Sequence, residues 1–478
     1  MQYKFLKCFV IILIFSSPFV YAQNDSKILL FDGGNIDGDV SMSSSLFWGI
    51  GGKSANLGGS ISAFEPDGTI AYWNPARLSM LQSNVLQVDY NPPLGVNVGS
   101  LANIDEKIKT ATDNGIADYR DESLTPVYSR IGARMYQQGR LGSGVLAIPV
   151  NDYAFAVYFH RPLELALSSI MSGIRTQIVT LLEGDKVFFS SYLDGHVSMQ
   201  IGVNCVGFSG SKIINSQWSV GLAVERYDFS VRTNGRLDVE GSMLFGGKEN
   251  IFNDPNDSWY NNLNQYINAN YTGSDWGWKI ACSFDLNDNF KFDTVFEWAP
   301  NVTARGNMEF INNTVPAINL GFGDSGDSEI LNPEKLKLSQ MTLTKRVDGN
   351  VYQKLELNLP KTLKLGAAMK TSWVALHLNY ALGFSPVSFV YGNDEIGIKP
   401  SHILRLGLDF KYVQTALGFA ILNKVAKGSE TLGENGTTTM LPLFSLGTGL
   451  EFSQNYRADF QVFAVPMPIL KLSLGIRF

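Results

Sequence analysis

Four histidines (His160, His196, His377, His402) and three cysteines (Cys8, Cys205, Cys282) carry most of the latent reactivity of this 478-residue chain. No histidine stands at a spacing that suggests a metal site. No Gly-x-Ser-x-Gly elbow occurs, so a hydrolase nucleophile has no signature. The acidic stretches 253–257 and 323–327 offer oxygen ligands, but neither completes a calcium-binding loop and both read as solvated turns. More telling are Arg405, Asp409, Lys411, Lys364 and Lys370, which sit at alternate positions inside otherwise apolar segments. A cation so placed can hold a carboxylate head group or pair with a neighbouring carboxylate. The pattern points to binding rather than covalent chemistry, and no enzyme, cofactor or metal is expected. A net charge of −6 gives no reason to expect nucleic acid.

The elements that must hold these residues are strands. In the segment Ile469 to Phe478, Leu470, Leu472, Leu474, Ile476 and Phe478 alternate with Lys471, Ser473, Gly475 and Arg477. Period two gives one apolar and one polar or small face, which in water would be an exposed, aggregating edge. In an outer membrane it is the closing strand of a barrel. Similar alternation recurs back to a first strand near 84–98, giving an expected transmembrane antiparallel β-barrel of about fourteen strands. Short turns, such as 151–152 and 287–289, alternate with long loops near 99–140, 161–195, 233–274 and 300–360. Phe478 should then lie at the periplasmic rim. Asn91-Pro92-Pro93 demands a bulge or kink in the first strand. Cys205 and Cys282 fall on apolar sets and are expected to be free thiols facing lipid.

The remaining segments complete the division of the chain. Residues 1–22 read as a signal peptide, with Lys4 and Lys7 before an apolar core shorter than the ~20 residues of a spanning helix. Residues 23–83 are Gly- and Ser-rich and read as a flexible leader or a plug against the lumen wall; residues 84–478 form the barrel. An outer-membrane location in a Gram-negative-type bacterium follows. Within 161–195, Leu163, Leu167, Ile170, Met171, Ile174, Ile178, Leu181 and Leu182 recur at spacings of three and four, the stripe of an amphipathic helix.

Inside the Gly-rich segment lies Trp73-Asn74-Pro75-Ala76-Arg77. Pro75 fixes its own φ and pushes Asn74 out of the helical region, so Asn74 can cap a turn starting at Pro75. An Asn-Pro-Ala motif ahead of the first strand resembles the amino-terminal hatch of the FadL family of long-chain fatty-acid and hydrocarbon transporters. Leu359-Pro360-Lys361-Thr362-Leu363-Lys364-Leu365-Gly366 is similar to the Leu-Pro segment that opens a late strand there. The resemblance implies passive passage of a hydrophobic small molecule through a plugged barrel with sideways exit. It also implies apolar outer helices that capture the ligand, which nominates Leu163, Leu167, Ile170, Met171, Ile174 and Ile178. Arg405 and Lys411 are lumen candidates for a ligand head group, and Arg77 for a carboxylate pair that holds the hatch shut. Expected partners are the ligand, outer-membrane lipid and lipopolysaccharide, and the barrel-assembly machinery. The Trp-Asn-Pro-Ala variant also resembles PorV-like barrels, which implies a component of protein secretion or surface attachment instead. A general polar porin is disfavoured, because the plug should block an open channel.

Overall fold

The computed structural model describes residues 27–44, 49–97, 106, 109–110, 112–114, 124–182, 185–245, 248–252, 263–312, 355–391, 394–410, 412–427, 437–453, 455–465 and 467–478. Its strands are β1 (Lys27–Asp32), β2 (Asn35–Ser44), β3 (Val85–Asn91), β4 (Leu94–Asn97), β5 (Arg130–Gln137) and β6 (Arg140–Val150). The long strands β7 (Tyr153–Leu182), β8 (Asp185–Ile213) and β9 (Trp218–Phe245) follow, then β10 (Lys248–Phe252) and β11 (Leu263–Asn287). Next come β12 (Phe290–Trp298), β13 (Asn301–Asn312), β14 (Leu355–Asn358), β15 (Thr362–Lys370), β16 (Ala375–Gly383) and β17 (Val387–Tyr391). The chain ends with β18 (Asp394–Phe410), β19 (Val413–Lys427), β20 (Thr438–Ser453), β21 (Tyr456–Val465) and β22 (Met467–Arg477).

Antiparallel pairing runs β3–β6–β7–β8–β9–β11–β12–β15–β16–β18–β19–β20–β21–β22. β22 then returns to β3, from Leu472 opposite Tyr90 to Arg477 opposite Val85, and the Phe478 amide donates to the Asn84 carbonyl at 3.1 Å. The sheet is a closed barrel of 14 strands, as the alternation predicts. Closure leaves no edge at this level, which is what a backbone in lipid requires. The outward set is apolar all round, including Val157, Phe208, Leu222, Ile280, Leu378, Leu417, Phe444 and Leu474. Tyr153, Trp218, Phe290, Trp373, Tyr412 and Tyr456 are exposed beside the short turns, the aromatic girdle of a membrane interface.

Several strands outgrow that belt. β7 has 30 residues, whereas crossing takes about 9–11. Along the outward face of β9, Trp218, Val220, Leu222 and Val224 give way to Arg226, Asp228, Ser230, Arg232 and Asn234, while Tyr227, Phe229 and Val231 are buried inside. Beyond the membrane the wall therefore has the polarity of a water-soluble protein, with a polar outside and an apolar inside. This corrects two expectations. Segments 161–195 and 233–274 are largely strand rather than loop, and Cys205 is buried in the interior with Tyr227 and Phe229. Cys282, lower on β11, is half-exposed beside outward Ile280.

Two seams interrupt the ladders. In the first, Ala299-Pro300 separates β12 from β13, Leu359-Pro360-Lys361 separates β14 from β15, and Phe384-Ser385-Pro386 separates β16 from β17. A register shift between Pro400 and His402 in β18 completes the line. Proline cannot donate to a ladder, so breaks aligned across neighbouring strands make a band of sparse pairing, crossed by the Leu359 amide donating to the Pro300 carbonyl at 3.2 Å and the Phe384 amide to the Lys361 carbonyl at 2.8 Å. Ser385 stitches it: its Oγ accepts from the Lys361 amide at 2.8 Å and donates to the Leu359 carbonyl at 3.2 Å.

At the second seam Pro92-Pro93 and Gln138-Gly139 end β3–β6 pairing, and β5 diverges from β7. β2 fills the gap, antiparallel to β7 and parallel to β5; β1 continues it along β7. Residues 27–44 are thus wall, and the plug that the sequence places over 23–83 starts, among described residues, only at 49.

Candidate functional site

The plug is short turns packed on the lumen wall: helical turns Lys53–Asn56 and Ile70–Trp73 and a 3₁₀ turn Pro75–Met80. Ile50, Ile70, Tyr72, Trp73 and Leu78 share one core with Ala147, Ala154, Tyr158, Ala420 and Phe463 of the wall. Small wall residues make room. A Cβ on Gly221 would run into the backbone of Pro75 and Ala76, so only glycine lets the Asn-Pro-Ala turn lie against β9.

Asn74 caps that turn as expected. Its Oδ1 accepts from the Ala76 amide at 3.1 Å, and its Nδ2 donates to the Ile61 carbonyl at 2.8 Å and to Asp293 Oδ1 at 2.9 Å. Arg77, with its side chain fully buried, donates from Nε to Asp293 Oδ1 at 2.7 Å and from Nη2 to Asp293 Oδ2 and Asp285 Oδ1, both at 2.9 Å. Burial disfavours the guanidinium charge, yet Asp293 and Asp285 outweigh it and hold its pKa above the ordinary value. Arg77 thus does pair with lumen carboxylates.

Below Tyr72 lies a second buried network. Lys279 Nζ contacts Glu225 Oε1 at 2.8 Å and Glu297 Oε1 at 3.3 Å, donates to the Tyr72 carbonyl at 3.2 Å and sits 3.7 Å from the centroid of the Tyr72 ring. Lys364 joins Glu297 at 2.6 Å. Tyr158 and Tyr227 both donate to Glu225 at 2.7 Å. His160, Cys205 and Glu225 offer donor atoms within 4.8 Å of one another. However, the carboxylate already serves an ammonium and two phenols, so a metal ion would have to displace Lys279.

Between plug and first seam is a cavity of about 100 Å³. Tyr72, Trp73 and Ile61 form its plug side; Ala299, Leu359, Pro360, Val387 and Ile403 form its wall side, and Lys364, Glu297 and Arg405 supply charge. The seam residues have fewer ladder partners than the rest of the wall, and the space lies beside them.

The nominated residues are only partly brought together. Arg405 is buried and donates to the Gly58 carbonyl at 2.9 Å; Lys411 lies outside the described residues. Asp409 pairs with Lys53 at 3.0 Å. The nominated helix is a correction: Leu163, Leu167, Ile170, Met171, Ile174 and Ile178 all lie on strand β7. Register shifts between His160 and Leu163 and between Met171 and Ile174 re-phase that strand. Leu163, Leu167, Met171, Ile174 and Ile178 therefore share the inward face, whereas Ile170 points out and is 58% exposed. A strand with a one-residue bulge reproduces the four-four-three spacing of a helix. Tyr72, Lys279 and Glu297 carry no such signal; alternation on β9 marks Glu225 and Tyr227 as inward and two apart, close enough to bond each other, but nothing local brings Tyr158 or Lys279 to them.

No family model matches this chain, and no curated protein does. In overall course the chain is similar to solved channels and transporters. A structure described as the CymD monoaromatic hydrocarbon channel has 12% identity and a TM-score of 0.47, covering 91% of this chain and 99% of that one. A Pseudomonas aeruginosa FadL homologue has 12% identity and a TM-score of 0.46, over 91% and 98%. The toluene transporter TodX of P. putida has 11% identity and a TM-score of 0.45, over 90% and 99%. These values are too low for function to follow from them. The barrel stands on its own strand pairing.

Proposed function

We propose that this chain is an outer-membrane channel for hydrophobic solutes, passive and non-enzymatic, with its plug as the gate. The observation that carries the reading is the cavity lying between Tyr72, Trp73 and the proline seam. Ligand pockets commonly measure about 300–1,000 Å³, and a dry cavity of about 150 Å³ takes a benzene-sized ring. At about 100 Å³ the space is smaller than either. A solute of any length would enlarge it by moving the plug or bowing the seam, where few ladder hydrogen bonds resist. The inward apolar row Leu163, Leu167 and Met171 leads towards it from the outer end, and a sideways exit would use broken pairing rather than whole strands. Arg405 and Lys364 serve chiefly to hold the plug.

The test fills the cavity. In proteoliposomes or cells, Ile403→Trp and Ala381→Trp should abolish most uptake of a labelled hydrophobic solute, with barrel assembly unchanged by its heat-shifted mobility on gels. Uptake at the wild-type rate in both variants would refute the reading. It would turn attention to a barrel that docks secreted proteins, detectable as stable co-purification with secretion components.

A further inference from the structure

The outward faces of β7, β8, β9 and β11 beyond the belt form, with the end of β5, a concave groove of about 490 Å³. Its lining includes Tyr136, Gln200, Arg232, Asn234, Asn268 and Asn270. Register sets these in rows: Gln200 lies opposite Arg232 and Arg232 opposite Asn270, while Asn234 lies opposite Asn268. Amide side chains stacked across adjacent strands present donors and acceptors in alternation. The groove has ligand-sized volume, and among the described residues no carboxylate lines it.

Arg232 differs from the other two arginines on the outward face of β9. Arg226 is neutralised by Asp228 at 3.2 Å and Arg236 by Asp238 at 2.8 Å, each two residues along the strand. The corresponding position after Arg232 is Asn234, and among the described residues Arg232 has no acidic partner. A planar guanidinium left free among neutral amides is built to take a carboxylate or phosphate in bidentate fashion. Height narrows the ligand further. Arg232 follows Val224, the last apolar residue of the belt on β9, so at ~3.3 Å per residue and a strand tilt of ~40° it stands roughly 20 Å above the hydrocarbon. That is the level of the sugars that coat an outer leaflet, well clear of acyl chains.

We infer that this groove binds an acidic saccharide, with Arg232 taking its carboxylate or phosphate and Gln200, Asn234, Asn268 and Asn270 its hydroxyls. The inference rests on the outer-membrane placement proposed above and is independent of transport. Two sources share the chemistry: the saccharide of a membrane-anchored lipid and a soluble acidic polysaccharide.

The test measures binding of delipidated, phosphorylated lipopolysaccharide core oligosaccharide and of alginate to the full chain in detergent, with dextran as the neutral control. Arg232→Gln should weaken binding at least tenfold and flatten its salt dependence; Asn270→Ala should weaken it severalfold. Arg236→Gln, which removes an arginine already paired, should bind as wild type. Core binding without alginate binding assigns the lipid-anchored source, and the reverse assigns the soluble polymer; either supports the inference. Binding of neither probe, or equal losses in Arg232→Gln and Arg236→Gln, would overturn it. Solute uptake in Arg232→Gln should be unchanged, so failure here and failure of the transport reading are distinguishable.

Discussion

Arg77 ties the plug to the wall through two carboxylates. Its guanidinium spends three donor contacts on Asp293 and Asp285 with no exposed surface. A buried ion pair is poor evidence of net stability, but removing one partner strands the other charge, at a cost of about 3–5 kcal/mol. Arg77→Ala should therefore loosen the plug without unfolding the barrel, seen as faster proteolysis within 49–83 while the barrel keeps its heat-shifted mobility. Arg77→Lys, which keeps charge and loses the fork, should fall between. Asn74 and Arg77 were legible in the sequence as a cap and a cation near a proline. Asp293 was not, because pairing a plug residue with β12 depends on how the barrel curves, and no local pattern encodes that. Lys279 is an intermediate case: alternation marks it as inward, and the register of the β11–β12 hairpin sets Glu297 opposite it, whereas Glu225 comes from the neighbouring strand β9.

Among elements, β2 behaves least like its neighbours. Its sequence, NIDGDVSMSS, is poor in branched and aromatic residues, so its place depends on ladders to β5 and β7 rather than on propensity. The ring closes through β22 and β3 without it. Deleting residues 27–44 should accordingly leave a folded barrel with a slit between β5 and β7. Liposome-swelling assays should report permeability to small solutes severalfold above wild type; an unchanged rate would mean that β5 and β7 close up on their own. This strand hides in the sequence because Gly and Asp in a leader read as linker, and its partners lie far along the chain. β7 is the opposite case, a strand whose bulges imitate a helical stripe. The strands of the belt were readable because lipid outside and plug inside impose strict alternation, which every ring strand obeys at that level.

At the scale of the whole molecule, the boundary of the membrane is written on the outside of β9, between Val224 and Arg226. Leu222→Arg should cost about 2–4 kcal/mol if that position lies near the bilayer midplane and less towards the interface. Asn234→Arg should cost almost nothing. Folding equilibria into lipid vesicles for the two variants measure the difference, and equal costs would misplace the belt. Polarity inverts across this line, so one rule read along a whole strand assigns Cys282 correctly and Cys205 to the wrong side. The parallel ladder between β2 and β5 has a further consequence, for maturation. β2 has no bed until both β5 and β7 are laid down, so a segment made early must wait for segments made later. Synthesis and completion then run in opposite order. A nascent barrel should pass through a leaky interval that ends only when its own leading strand slides home.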